Sequence, residues 1–147
     1  MGTRPLWTCP RCGRGFANRN QTHSCGGGGD LDAHLAGKDP EVVAIFRRLV
    51  ELAERNGPVT VLAEKSRIAF QVRMSFAAVT LRRRWVDGHV VLARRLDDPR
   101  FRRVESFSPR NHVHHFRLAR LREVDDRVAA WLAEAYAVGE QRHLRRR

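Results

Sequence analysis

Three cysteines, Cys9, Cys12 and Cys25, lie close to the start of a 147-residue chain, and His23 stands two positions before the last of them. A Cys-x2-Cys pair followed by His-x-Cys is a donor set for one tetrahedral zinc ion, whose structural sites take four thiolate or imidazole ligands. Cys9 and Cys12 suit a tight knuckle, and Gly13 lets the chain turn away from it. Phe16 would pack beneath the ion as a miniature core, because so short a segment cannot fold on apolar burial alone. His23 and Cys25 are one residue apart, so both reach the same ion only from an extended or looped segment. Cys25 follows Cys12 at the distance where a Cys2His2 finger carries its first histidine, yet residues 29–31 supply no further Cys or His. The expected ligands are therefore Cys9, Cys12, His23 and Cys25, with His34 or Asp30 as alternatives for the fourth. A closed four-ligand site leaves no position for water or substrate, so the expected zinc is structural. Thioredoxin-type redox chemistry fits less well, since the knuckle opens the chain instead of following a strand.

A second kind of chemistry is signalled by charge. The chain carries 28 Lys and Arg against 16 Asp and Glu, a net charge of +12, and only Lys38 and Lys65 are lysines. A GC-rich coding bias accounts for arginine over lysine but not for the excess of positive charge, which favours a polyanionic partner. The arginines cluster as Arg82-Arg83-Arg84, Arg94-Arg95 and Arg102-Arg103, with Trp85 interleaved. Arginines beside an exposed aromatic make a surface for nucleic-acid backbone and bases, DNA or RNA alike. The plainer alternative is a solvated sheet face.

Two further groups could line a ligand pocket. Glu64, Lys65 and Arg67 sit between two expected strands, with Arg73 shortly after; His112 and His114 share one face of a later strand. Together they could hold a phosphate or do acid–base work. Against this, a turn with a surface ion pair and a strand with locally satisfied histidines explain the same residues. Glu64 and Lys65 are adjacent, whereas a magnesium nuclease core wants Glu-x-Lys on one strand face. No Ser-His-Asp or Cys-His nucleophile, Walker loop or dinucleotide glycine motif is present.

Positioning these residues requires an α+β architecture. Residues 1–29 form the knuckle module with the Gly26–Gly29 hinge, and residues 30–147 a compact domain. Asp30–Leu35 reads as a helical turn. Asp39-Pro40 opens a helix whose apolar stripe is Val42, Val43, Ile45, Phe46, Leu49, Val50 and Ala53, ended by Asn56-Gly57-Pro58. Strands are expected at Val59–Ala63, Ile68–Val72, Phe76–Arg83, His89–Leu96, Arg102–Phe107 and His112–Leu118, with Asp87-Gly88 as the strongest hairpin turn. Short strands joined by short turns predict an antiparallel β-meander of about five or six strands, flanked by two main helices. The last helix runs from about Val124 to Glu140, burying Val128, Trp131, Leu132, Ala135 and Tyr136, and the basic tail beyond is expected to fray. No apolar run approaches the roughly 20 residues that span a bilayer, and no signal pattern precedes Cys9, so a soluble cytoplasmic protein with reduced thiols is expected.

The opening Trp7-x-Cys-Pro-x-Cys-Gly-Arg-x-Phe-Ala-Asn-x-Asn-Gln-x-His-Ser-Cys25, followed by His34-Leu35-Ala36-Gly37-Lys38, resembles that of bacterial proteins in the domain-of-unknown-function family numbered 5655. Ile68–Arg73, Phe76-Ala77, Ser108–Arg117 and Ala130-Trp131-Leu132-x-x-Ala135-Tyr136 look like that family's domain. The resemblance implies a compact α+β domain, here behind a zinc knuckle, and implies no activity. The expectation for function is a zinc-binding, non-enzymatic module that grips nucleic-acid phosphates. An enzyme or small-ligand binder and a protein-interaction adaptor are the alternatives.

Overall fold

Period-two alternation of apolar residues sets the architecture, because it gives each strand one face to bury. The structure, a computed structural model, describes residues 5–10, 15–16 and 31–142. The Gly26–Gly29 hinge and the tail beyond residue 142 lie outside the described residues. Near the N-terminus β1 (Trp7–Thr8) and β2 (Gly15–Phe16) pair antiparallel, and a single helical turn, α1 (Leu31–Leu35), precedes the main domain. Asp39 stands at the N-cap and Pro40 in the first turn of α2 (Pro40–Glu54), as the Asp-Pro pair predicts. Six strands follow: β3 (Thr60–Ala63), β4 (Ile68–Gln71), β5 (Ser75–Leu81), β6 (Val86–Leu92), β7 (Arg103–Ser108) and β8 (Asn111–Leu118). A 3-10 turn at Leu121–Glu123 leads into α3 (Asp126–Gly139), whose N-cap Asp125 accepts from the Val128 N–H at 3.2 Å.

All six strands pair antiparallel, in the order β3-β4-β5-β6-β8-β7. The inner face presents Ile68, Phe70, Val79, Leu81, Val86, Val90, Leu92, Phe116 and Leu118 to one core shared with the apolar stripes of α2 and α3. On α2 these are Val42, Ile45, Phe46, Leu49, Leu52 and Ala53; on α3 they include Val128, Trp131, Leu132, Ala135 and Tyr136. Each large side chain so buried contributes roughly 1.5–3 kcal/mol. Both helices therefore sit on one side, and the other side of the sheet is free to carry polar residues.

Two expectations are corrected. The sheet is not a simple meander, because β8 inserts between β6 and β7. The cause is burial: β8 turns His112, His114, Phe116 and Leu118 inward, whereas β7 has no buried residue and takes the edge. Nor do Asp87 and Gly88 form a turn. The β5–β6 connection spans Arg82–Trp85, closed by the Arg82 N–H donating to the Trp85 carbonyl at 2.8 Å, and Asp87-Gly88 lies inside β6. Consequently β5 ends at Leu81 rather than Arg83, and β6 runs Val86–Leu92 rather than His89–Leu96.

Gly88 is needed for space. A Cβ there would fall 2.8 Å from Cζ of Phe116, whose ring also packs against Trp131 at a centroid distance of 5.5 Å. Gly88→Ala is expected to cost about 1–3 kcal/mol through overpacking, read as a lowered urea midpoint with an unchanged m-value.

Candidate nucleic-acid interface

The outer face is built by register. Ala69 pairs with Ala78, Ala78 with His89, His89 with His115 and His115 with Arg103, so these side chains form one row across five strands. The next row, toward the Arg82–Trp85 turn, holds Thr80, Asp87 and Arg117. Arg67, at the β3–β4 turn immediately before Ile68, joins the same end. Small residues under long ones leave a concavity of about 290 Å³, lined among others by Arg67, Ala78, Thr80, Asp87, His89 and His115.

Two carboxylates organise the arginines. Asp87 accepts from Arg82 Nε at 3.2 Å, Trp85 Nε1 at 3.2 Å and Arg117 Nε at 2.8 Å. Partial burial works against its charge, yet these hydrogen bonds and the Arg117 guanidinium hold its carboxyl below the usual range. The Arg117 guanidinium also lies over the Trp85 ring, 4.6 Å from its centroid. Glu105 accepts from His115 Nε2 at 2.7 Å and from Arg103 at 3.0 Å, and the His115 hydrogen bond leads in holding its carboxyl low. His89 stands edge-on to His115 with ring centroids 5.6 Å apart. Desolvation, reinforced by His115 and Arg67, pushes the His89 imidazole down to about 4.

The expected arginine surface divides between the two ends of the sheet. Arg82, Arg83 and Arg84 occupy the β5–β6 turn, while Arg102 and Arg103 open β7 beside His115, at the same end. Arg94 and Arg95 follow β6 at its far end, where Arg94 makes a two-pronged pair with Glu134 of α3, both bonds 3.0 Å. Arg83, Arg84 and Arg102 are exposed and make no ion pair among the described residues.

The expected ligand pocket is not assembled. Glu64 and Arg67 pair with each other across the β3–β4 turn at 2.8 Å, beside the exposed Lys65. Arg73 lies beyond the other end of β4, donating to Gln141 at 3.0 Å. His112 and His114 do share a face, but it is the one turned to the helices. His114 is fully buried: its Nδ1–H donates to the His112 carbonyl at 3.0 Å and its Nε2 accepts from the Leu96 N–H at 2.9 Å. His112 donates through Nε2 to the Pro109 carbonyl at 3.0 Å and is bonded by Ser106 at 2.7 Å. Both rings are thus satisfied inside the fold.

Of the expected zinc ligands only Cys9 is described, and it is buried at 3% exposure. Pairing of Thr8 with Gly15 brackets residues 9–14, the stretch that contains Cys9 and Cys12, and Gln71 Nε2 donates to the Gly15 carbonyl at 2.7 Å, tying this hairpin to the sheet. Cys12, His23, Cys25 and the alternative Asp30 lie outside the described residues. His34 is engaged elsewhere, its Nε2 donating to the Glu64 carbonyl. Among the described residues no group of three or more His, Cys, Asp or Glu side chains is placed to hold a metal, and no helix is long and apolar enough to cross a membrane.

Asp87, His89, Glu105, His115 and Arg117 were not among the expected site residues. Reading Asp87-Gly88 as a turn hid the first two; the alternation Val86, Gly88, Val90, Leu92 was the signal that places them outward. The architecture is that of a two-layer α+β domain with helices on one face of an antiparallel sheet. Residues 31–139 match the model of the family described as domain of unknown function DUF5655, and the chain belongs to that family. Comparison with curated proteins and with solved structures gave no significant match.

Because the folded His89 imidazole titrates near 4 and an unfolded one near 6.5, the unfolded chain binds the extra proton between those values, and stability rises with pH through that window. The loss on going from pH 7.5 to 5 is expected to be about 2 kcal/mol from this group. Buried His114, whose imidazole desolvation also pushes down, acts with the same sign. Urea unfolding at the two pH values checks this: His89→Gln should remove its share of the slope and leave the remainder.

Proposed function

We propose that this protein is a non-enzymatic nucleic-acid-associated module that binds the phosphate backbone with little base specificity, its N-terminal segment folded around a structural zinc ion. The observation that supports the backbone reading is strand register. Arg82, Arg83 and Arg84, then Arg102 and Arg103, then Arg117 come from three separate stretches of chain to one end of the sheet, with Arg103 and Arg117 on its outer face. With neighbouring strands about 4.8 Å apart, they extend across roughly 15 Å, enough to meet successive phosphates. Asp87 and Glu105 fix the orientation of Arg82, Arg103 and Arg117, while Arg83, Arg84 and Arg102 remain available for phosphate. Trp85, held under Arg117, adds an aromatic plane at the same place. Cation release from neutralised phosphates supplies the affinity, which must then fall steeply with salt.

Neutralising the surface by Arg83→Gln, Arg84→Gln and Arg102→Gln together should weaken binding of a labelled oligonucleotide by at least tenfold at 100 mM salt. It should flatten log Kd against log salt by about 2–3, at roughly 0.7–0.9 per lost phosphate contact. The pair Arg94→Gln and Arg95→Gln, at the far end, should change the slope by less than one contact. Equal effects from the two sets would refute the placement, and absence of binding at low salt would refute the function.

Zinc would supply fold rather than reaction here: Cys9, Cys12, His23 and Cys25 would hold the ion, and the cysteine thiols must lose their protons to do so. Metal analysis of the purified chain should find one zinc per molecule, and Cys12→Ser well below one. The sheet domain's far-ultraviolet dichroism should survive that substitution, since among the described residues its core contains none of the N-terminal segment.

A further inference from the structure

The groove on the outer face contains polar groups that the backbone-binding surface does not use. Neither ring nitrogen of His89 has a hydrogen-bond partner among the described residues, and His115 is bonded only through Nε2, to Glu105. These ring nitrogens are not sealed from solvent, so they stand open to a ligand that enters the groove. The recess measures about 290 Å³, near the lower limit of small-molecule sites at roughly 300 Å³. That is room for one nucleotide and far too little for a duplex. Arg67 and Thr80 stand on one wall and the two imidazoles on the other, over a floor of Ala78 and the Gly88 backbone. The one carboxylate in the groove, Asp87, is already bonded by Arg82, Trp85 and Arg117, so its charge is offset where it sits. Its hydrogen-bond donors link the groove directly to the Trp85 plane.

We propose that this groove seats one nucleotide of a single-stranded polynucleotide, its phosphate against Arg67 and His89 and its base toward Trp85. This rests on the backbone-binding reading and deepens it by naming the strand form. A neutral His89 offers an N–H to phosphate with no charge to desolvate, while Arg67 supplies the charge. Such sites prefer single strands because only an unpaired strand can turn one nucleotide into a recess and lay a base on an aromatic ring.

The test uses the full zinc-loaded chain and a ten-nucleotide strand, alone and annealed to its complement. Wild type is expected to bind the single strand more tightly. Arg67→Ala, at an exposed turn, and Thr80→Phe, which fills the recess, should each weaken single-strand binding about tenfold while changing duplex binding less than twofold. In proton NMR the His89 and His115 ring signals should move saturably as the single strand is added, and those of His114, buried on the opposite face, should stay. Normal polynucleotide binding with unmoved His89 and His115 signals, or equal losses for both strand forms, would overturn the groove assignment and leave the arginine surface standing. Failure of the wild type to bind either form would overturn both. Ring signals that respond to adenosine 5′-monophosphate but to no oligonucleotide would make the recess a free-nucleotide site and overturn the seat proposed here.

Discussion

The pairing of β6 with β8 is the constraint on which the rest of the structure depends. It closes the sheet across its middle, and because side chains alternate, it decides both faces at once. Val86, Gly88, Val90 and Leu92 meet His114, Phe116 and Leu118 on the side of the helices, so Asp87, His89, His115 and Arg117 must meet on the other. A slip of β6 by one residue would send Asp87 and His89 into the core and lift Val86 and Val90 into water. The close approach of Phe116 to Gly88 fixes that register sterically. An aromatic ring on one strand and the missing side chain on the next thus determine where the polar surface lies.

On that surface the ion pairs orient more than they stabilise. Exposed pairs of this kind are worth about 0–1 kcal/mol each, and the side chains of Arg82, Arg103 and Arg117 are 38–66% exposed. Their value is geometric. Asp87 holds Arg82, Trp85 and Arg117 in one arrangement, and Glu105 holds Arg103 and His115. Long flexible cations restrained in advance lose less freedom when a ligand arrives. The negative charges that make the outer face less basic are also what give it shape.

How much of this was legible in the sequence depended on whether the information was local. The helices were, because Asp39-Pro40, the stop at Asn56-Gly57-Pro58 and the stripe from Val128 to Tyr136 lie within a few residues of the features they specify. The positions of most strands were, through alternation. The inward His112 and His114 could be read as sharing a face but not which face, since that is decided by Phe116 and Leu118 packing on Trp131 and the helices. An Asp-Gly pair carries a strong turn signal that tertiary contacts overrode at Asp87-Gly88. The outer row itself was not legible: His89, His115 and Glu105 are far apart in the chain, and only the insertion of β8 beside β6 makes them neighbours.

That insertion has a consequence for synthesis. A growing chain that has emerged as far as β6 already has β3 to β6 available to pair in sequence, yet it lacks His115 and Arg117 and has no strand to pair with the free side of β6. Long-range strand pairing is slow to form and late to be rewarded. The edge of β6 stays open until the ribosome has released residues 111–118, and the face that would meet a polyanion comes into being only then. A nascent chain therefore carries Arg82, Arg83 and Arg84 before it has the strand whose register arranges the face beside them.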